Sequence, residues 1–177
     1  QSLLGHSQAA LEAFQQAIGL KPHFSDAHYN LGLARAQMGQ LGKAVESFQE
    51  AIRLKPNDPE AHANLGVAYS ELGKLEAAIS AFQQAIQIQP DSMKAYYNLG
   101  LAQANLGRYR EAIESLSETA RLAPKEAEVR LNLGFLYLEE GDRTSAIKQY
   151  ELLKKIDAQK ANQLLERMMV EESGVRP

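Results

Sequence analysis

Four kinds of residue return along this chain at one interval of 34 positions, and that period constrains the fold more than any single motif. Pro22, Pro56, Pro90 and Pro124 mark one register, and Gly32, Gly66, Gly100 and Gly134 a second. Asn30, Asn64, Asn98 and Asn132 mark a third; Ala10, Ala44, Ala78, Ala112 and Ala146 mark the fourth. Agreement of four registers excludes chance. A unit of this size cannot bury its apolar face alone, so the chain must stack repeats, each touching only its neighbours.

The best-formed unit runs from Ala61 to Pro90, AHANLGVAYSELGKLEAAISAFQQAIQIQP. Leu65, Gly66 and Tyr69, then Ala78, Phe82 and Pro90, fall at the offsets of the L-G-x2-Y…A-x3-F…P pattern of two helices joined by a turn. The chain thus resembles the tetratricopeptide repeat family over nearly its whole length. The resemblance implies an all-α protein: an alpha-alpha superhelix, right-handed, a solenoid of antiparallel helix pairs. Every periodic segment follows the helical pattern and none alternates, so no strand is expected. The family serves many partners, and its fold alone assigns no role.

Composition closes several functions. There is no cysteine, which removes disulfide, thiolate-metal and cysteine-nucleophile chemistry. A net charge of −3 and the lack of any long single-sign run argue against nucleic acid and anionic membrane as partners. No apolar run approaches the roughly 18 residues needed to cross a bilayer, so direct membrane insertion is not expected. No compartment is fixed; the cytoplasm is the favoured expectation.

In register with the repeats, residues 1–24 read as the C-terminal part of a truncated unit. Leu4 and Gly5 stand where Leu72-Gly73 and Leu106-Gly107 stand, so QSLLG reads as the tail of one helix and Ser7 to Leu20 as the next. The chain is accordingly expected to be a piece of a longer protein, with an apolar face around Phe14 open to self-association at the N-terminal end. Repeats are expected at 25–58, 59–92, 93–126 and 127–160, the last degenerate because Arg130 takes an aromatic position and Ala158 replaces proline. Asp58 and Pro59 form a helix start, Pro56 stops the preceding helix, and Gly39 suits a left-handed helix end. Residues 161–172 read as a capping helix with an apolar stripe of Ala161, Leu164, Leu165 and Met168; residues 173–177 are expected to fray.

Function, on this reading, lies on one face of each first helix. Glu60, Asn64, Val67 and Glu71 lie opposite the packed side carrying His62, Leu65, Gly66 and Tyr69. Their equivalents are Asp26, Asn30, Leu33 and Gln37; Lys94, Asn98, Leu101 and Asn105; and Glu128, Asn132, Phe135 and Glu139. In tetratricopeptide proteins this face lines a concave groove, so the resemblance implies a surface for a peptide segment. Its backbone would be read by Asn64 and Asn98 and its apolar side chains set beside Val67, Leu101 and Phe135. A carboxamide both donates and accepts, matching a peptide backbone. The alternative is that each asparagine bonds a neighbouring helix and the apolar residue beside it packs there; Tyr29 and Tyr97 could serve either arrangement.

Five face carboxylates (Asp26, Glu60, Glu71, Glu128 and Glu139) stand against Lys94, which favours a basic or neutral partner. Some family members clamp a chaperone's C-terminal carboxylate, but here only Lys94, Asn98 and Asn132 begin that pattern, and Asn162 and Glu166 replace its closing pair. His28 and His62 occupy an aromatic packing position and lack the i, i+4 partner of a zinc pair, so no metal or cofactor is expected. No nucleophile-elbow, P-loop or H-E-x-x-H motif is present, and Glu111, Glu114 and Glu118 read as a solvated face. The leading expectation is therefore a non-catalytic protein-interaction scaffold. A self-assembling structural module and the substrate-recruiting arm of a larger enzyme are the alternatives, the latter because O-linked N-acetylglucosamine transferases carry similar asparagine columns.

Overall fold

The structure, a computed structural model, describes residues 2–172, with side chains for 8–170; Gln1 and the tail 173–177 lie outside it. Ten helices and no strand make up the described residues. They are α1 (Ser2–Leu20), α2 (Ser25–Gln37), α3 (Leu41–Leu54), α4 (Pro59–Glu71), α5 (Leu75–Ile88), α6 (Met93–Asn105), α7 (Tyr109–Leu122), α8 (Ala127–Glu139), α9 (Arg143–Leu153) and α10 (Ala158–Glu172). This is the all-helical, helix-pair class that the 34-residue period predicts. The chain divides into two compact units, residues 1–95 and 96–177, with the boundary in the first turn of α6.

Each tight turn inside a pair is closed by glycine. Gly39, Gly73, Gly107 and Gly141 have φ of 72° to 75°, a conformation in which a side chain is strained. After α2 the amide of Gln40 donates to the carbonyl of Arg35 and that of Gly39 to Ala36, both at 2.9 Å, satisfying the last carbonyls of the helix. Helix starts are fixed where the sequence supplies a cap: the Asp58 carboxylate accepts from the Ala61 amide at 3.2 Å, with Pro59 following at the first helical position.

The second landmark glycine works by size. A Cβ on Gly32 would lie 2.6 Å from the Phe48 ring, and one on Gly66 the same distance from Phe82. Both rings are fully buried. Leu116 fills the same niche beside Gly100, so the smaller side chain at that position keeps the packing.

Two segments differ from expectation. Helix α1 runs unbroken through Gly5, whereas the repeat register predicts a turn there. Extending a helix gains one hydrogen bond per residue, against roughly 0.5–1 kcal/mol for an interior glycine, so continuity wins. Leu11, Phe14 and Ile18 of α1 then pack on Leu31, Ala34 and Met38. At the other end α9 has 11 residues where α3, α5 and α7 have 14, and α10 starts at Ala158 rather than 161. Asp157 is the cause: its Oδ1 accepts from the amides of Gln159 and Lys160 at 3.0 and 3.1 Å. The earlier start carries Leu164 into the niche beside Gly134 that Phe48, Phe82 and Leu116 fill in the other repeats. Tyr150, at that ring position, is left half-buried, with the Lys154 ammonium 5.3 Å from its ring centre.

Candidate functional site

In the first unit, α2 and α4 hold the candidate face. Asn30, Leu33, Asn64 and Val67 are half-buried, while Gln37, Glu71 and Lys94 are exposed. In the second unit, Asn98, Leu101, Asn132 and Phe135 are half-buried, and Asn105 and Glu139 exposed. The face is therefore a half-buried stripe of amides and apolar side chains bordered by exposed polar ones. Part of the apolar stripe is spoken for: Leu33 packs on the core around Phe48 and Leu65, and Phe135 on that around Leu131 and Leu164.

Three of the asparagines donate inside the protein, and Asn64 spends both of its amide protons there. Asn64 Nδ2 donates to the Tyr29 hydroxyl and to its own helix at the Glu60 carbonyl, both at 2.9 Å. Asn132 Nδ2 donates to the Tyr97 hydroxyl at 3.3 Å, and Asn30 Nδ2 to the Asp26 carbonyl at 2.8 Å. A carbonyl can only accept, so the amide orientations of Asn30 and Asn64 are set by their partners. Each unit thus carries one Tyr–Asn tie between consecutive first helices, the neighbour-bonding arrangement that the sequence leaves as an alternative. What Asn64 still offers is Oδ1, an acceptor, with Lys94 Nζ 3.4 Å from it, whereas Asn132 keeps one amide proton as well.

Burial raises the Tyr29 hydroxyl pKa above its ordinary value, the charges of Glu60 and Asp58 push it the same way, and the bond from Asn64 acts against them. Tyr97 is raised likewise, by burial first and then by Glu128.

The carboxylate border is not uniform. In the second unit Glu128 is paired with Lys160 at 2.6 Å and Glu139 with Arg167 at 2.8 Å, both cations coming from α10. Asp26, Glu60 and Glu71, in the first unit, make no ion pair among the described residues. Sequence counting gives one acidic border; tertiary packing restricts its unpaired part to α2 and α4.

His28 and His62 each place Nε2 2.9 Å from the carbonyl of the proline six residues back, Pro22 and Pro56. Arg130 donates to Pro124 in the same place, at 2.9 and 2.7 Å. The shared role is to hold the turn between repeats, which explains why a guanidinium can stand where an aromatic ring usually does. Among the described residues no three His, Asp or Glu side chains are grouped to hold a metal ion. No helix there is long and apolar enough to cross a membrane.

Sequence reasoning missed a second polar tie inside the helix pairs. Arg35 donates to the Ser47 hydroxyl at 2.7 Å, and Ser115 donates to Gln103 Oε1 at the same distance. Arg35 and Gln103 stand where Tyr69 and Tyr137 stand in the other two repeats, and Tyr29 and Tyr97 recur with them. This alternation over two repeats is the signal that could have revealed both ties.

The fold and the repeat landmarks define a class, and comparison with known proteins agrees. The chain belongs to the tetratricopeptide repeat family: a TPR repeat model matches residues 4–39, 34–73 and 68–107, and a tetratricopeptide repeat model matches 97–161. A crystal structure of MamA is similar over 93% of this chain and 92% of its own, at 27% identity and a TM-score of 0.81. TTC0263, a thermophilic TPR protein in Thermus thermophilus, is 26% identical with a TM-score of 0.66, the match covering 95% and 93%. YrrB, a TPR protein with an unusual peptide-binding site, shares the fold at 21% identity and a TM-score of 0.80, over 93% and 86%. No curated protein matches the chain significantly.

Proposed function

We propose that this protein is a non-catalytic interaction scaffold whose first-helix faces hold a peptide segment or partner protein, and that the face of α2 and α4 prefers a donor-rich, basic segment. Membership of a family whose members bind proteins or peptides supports the coarse reading. The likeness to YrrB carries the fold alone, so the finer reading rests on the face's own chemistry.

One observation carries it: most of the groups left over on this face are acceptors. Asn64 spends both amide protons inside the protein, and the neighbouring Asp26, Glu60 and Glu71 are unpaired carboxylates. Acceptors read backbone N–H groups, lysine and arginine; they repel a second carboxylate. At Asn64 this differs from the two-way amide reading expected from the asparagines alone, because the bonds to Tyr29 and to the Glu60 carbonyl have taken both of its amide protons.

The test is titration calorimetry of a copurified partner segment against Glu60→Lys with Glu71→Lys. Binding should weaken by about tenfold or more, corresponding to roughly 1.4 kcal/mol or more, and wild-type binding should fall with added salt more steeply than that of the variant. Unchanged affinity with an unchanged melting temperature would move the site off this face.

A further inference from the structure

We propose that a cleft on the other side of α4 is a second binding site, one that takes an uncharged stretch of extended polypeptide. The cleft, about 520 Å³, lies wholly in the first unit. Ile52 of α3, Pro56 and Asn57 of the following turn, His62 of α4, and Gln84, Gln87 and Ile88 of α5 line it. His62 and Asn64 are two positions apart on one helix, about 200° around it, so this cleft and the acceptor face are separate.

The repeat supplies an internal comparison. One unit earlier, a cleft of about 370 Å³ is lined by the equivalents Ile18, His28 and Glu50, together with Arg35 and Glu46. There the outer polar positions satisfy each other: Glu50 and Arg53 form an ion pair at 2.6 Å, and Glu118 and Arg121 repeat it at 2.8 Å in α7. In α5 the same two positions are Gln84 and Gln87, and the exposed side chains of these two and of Asn57 make no hydrogen bond to another described residue. Three free carboxamides therefore surround an apolar floor of Ile52, Pro56 and Ile88, with no charged side chain on the wall. The His62 Nε2 atom is committed to the Pro56 carbonyl.

That combination selects its ligand. A carboxamide donates and accepts, so three of them match the alternating N–H and C=O groups of an extended backbone. The floor accepts one aliphatic side chain, and the lack of charge leaves nothing to offset the cost of desolvating an ion. Pockets of this volume are within the range that holds small ligands.

The experiment is a nitrogen-15 NMR titration with a blocked tripeptide, N-acetyl-Ala-Leu-Ala-amide. The side-chain amide signals of Asn57, Gln84 and Gln87 should shift saturably, and the affinity should hold when salt is raised from about 0.05 to about 0.5 M, since no charge is involved. Gln84→Glu with Gln87→Arg writes the Glu50–Arg53 arrangement of α3 into α5, so folding and melting temperature should be kept while affinity falls about tenfold or more. Equal affinity in that double variant overturns the proposal. So does the lack of saturable shifts, or shifts on Asn30 and Asn64 in place of the three carboxamides, and none of these outcomes bears on the basic-segment reading of the acceptor face.

Discussion

Tyr29 shows how one side chain settles what its neighbours can do. By accepting from Asn64 it joins α2 to α4 and turns that asparagine into an acceptor toward solvent. Tyr29→Phe should cost about 0.5 to 1.5 kcal/mol of stability, read as a lower denaturation midpoint, and should also release the Asn64 donor. The pH dependence has a definite sign. The folded pKa values of Tyr29 and Tyr97 lie above the unfolded value, so the folded state favours the neutral phenol. That contribution is complete below about pH 10 and is lost as pH rises through the folded values. Alkaline unfolding of the Tyr29→Phe, Tyr97→Phe double variant should accordingly be shallower than wild type above about pH 10; identical slopes would show that other groups govern it.

Within a helix pair, the glycine and ring positions act as one object. Phe82→Ala should destabilise by about 3 to 5 kcal/mol, because the ring is fully buried. Gly66→Ala should cost about 1 to 3 kcal/mol through overpacking, since its Cβ would meet the Phe82 ring at 2.6 Å. Combined, the two should cost clearly less than their sum, because the small side chain opens the space that the methyl needs; additive losses in urea melts would place the strain elsewhere. In the last repeat the niche belongs to α10, so Leu164→Ala should cost about 2 to 5 kcal/mol and Tyr150→Ala less. Register alone assigns that place to Tyr150. The signal for the change was present but quiet: Asp157 provides a cap where Ala123, Gln89 and Lys55 stand in the preceding repeats.

At the scale of the whole molecule, net charge of −3 conceals an uneven border. The second unit answers its own face carboxylates with Lys160 and Arg167, while the first leaves Asp26, Glu60 and Glu71 open. Charge effects on binding should therefore separate by unit. Reversing Glu60 and Glu71 should slow association with a basic partner and flatten its salt dependence, measured by stopped-flow mixing at several ionic strengths. Neutralising Glu139 with glutamine should leave the association rate nearly unchanged, because Arg167 already screens it.

The 34-residue period by itself determined the family, the all-helical class, the turn glycines and the packed rings, because each depends on local chain chemistry repeated at fixed spacing. Helical periodicity put Asn30, Asn64 and Asn132 on the side of their helices opposite the packed one; their half-burial comes from the neighbouring helices. Which of their atoms remain available was decided only by tertiary structure, since Tyr29 and Asn64 are 35 positions apart and meet through the stacking of neighbouring helices. The same holds for Glu128 and Glu139, whose cations arrive on a helix whose start depends on one capping aspartate. Spacing along a helix fixes a direction for each side chain, whereas its partners come from the next helix, whose register no local pattern contains.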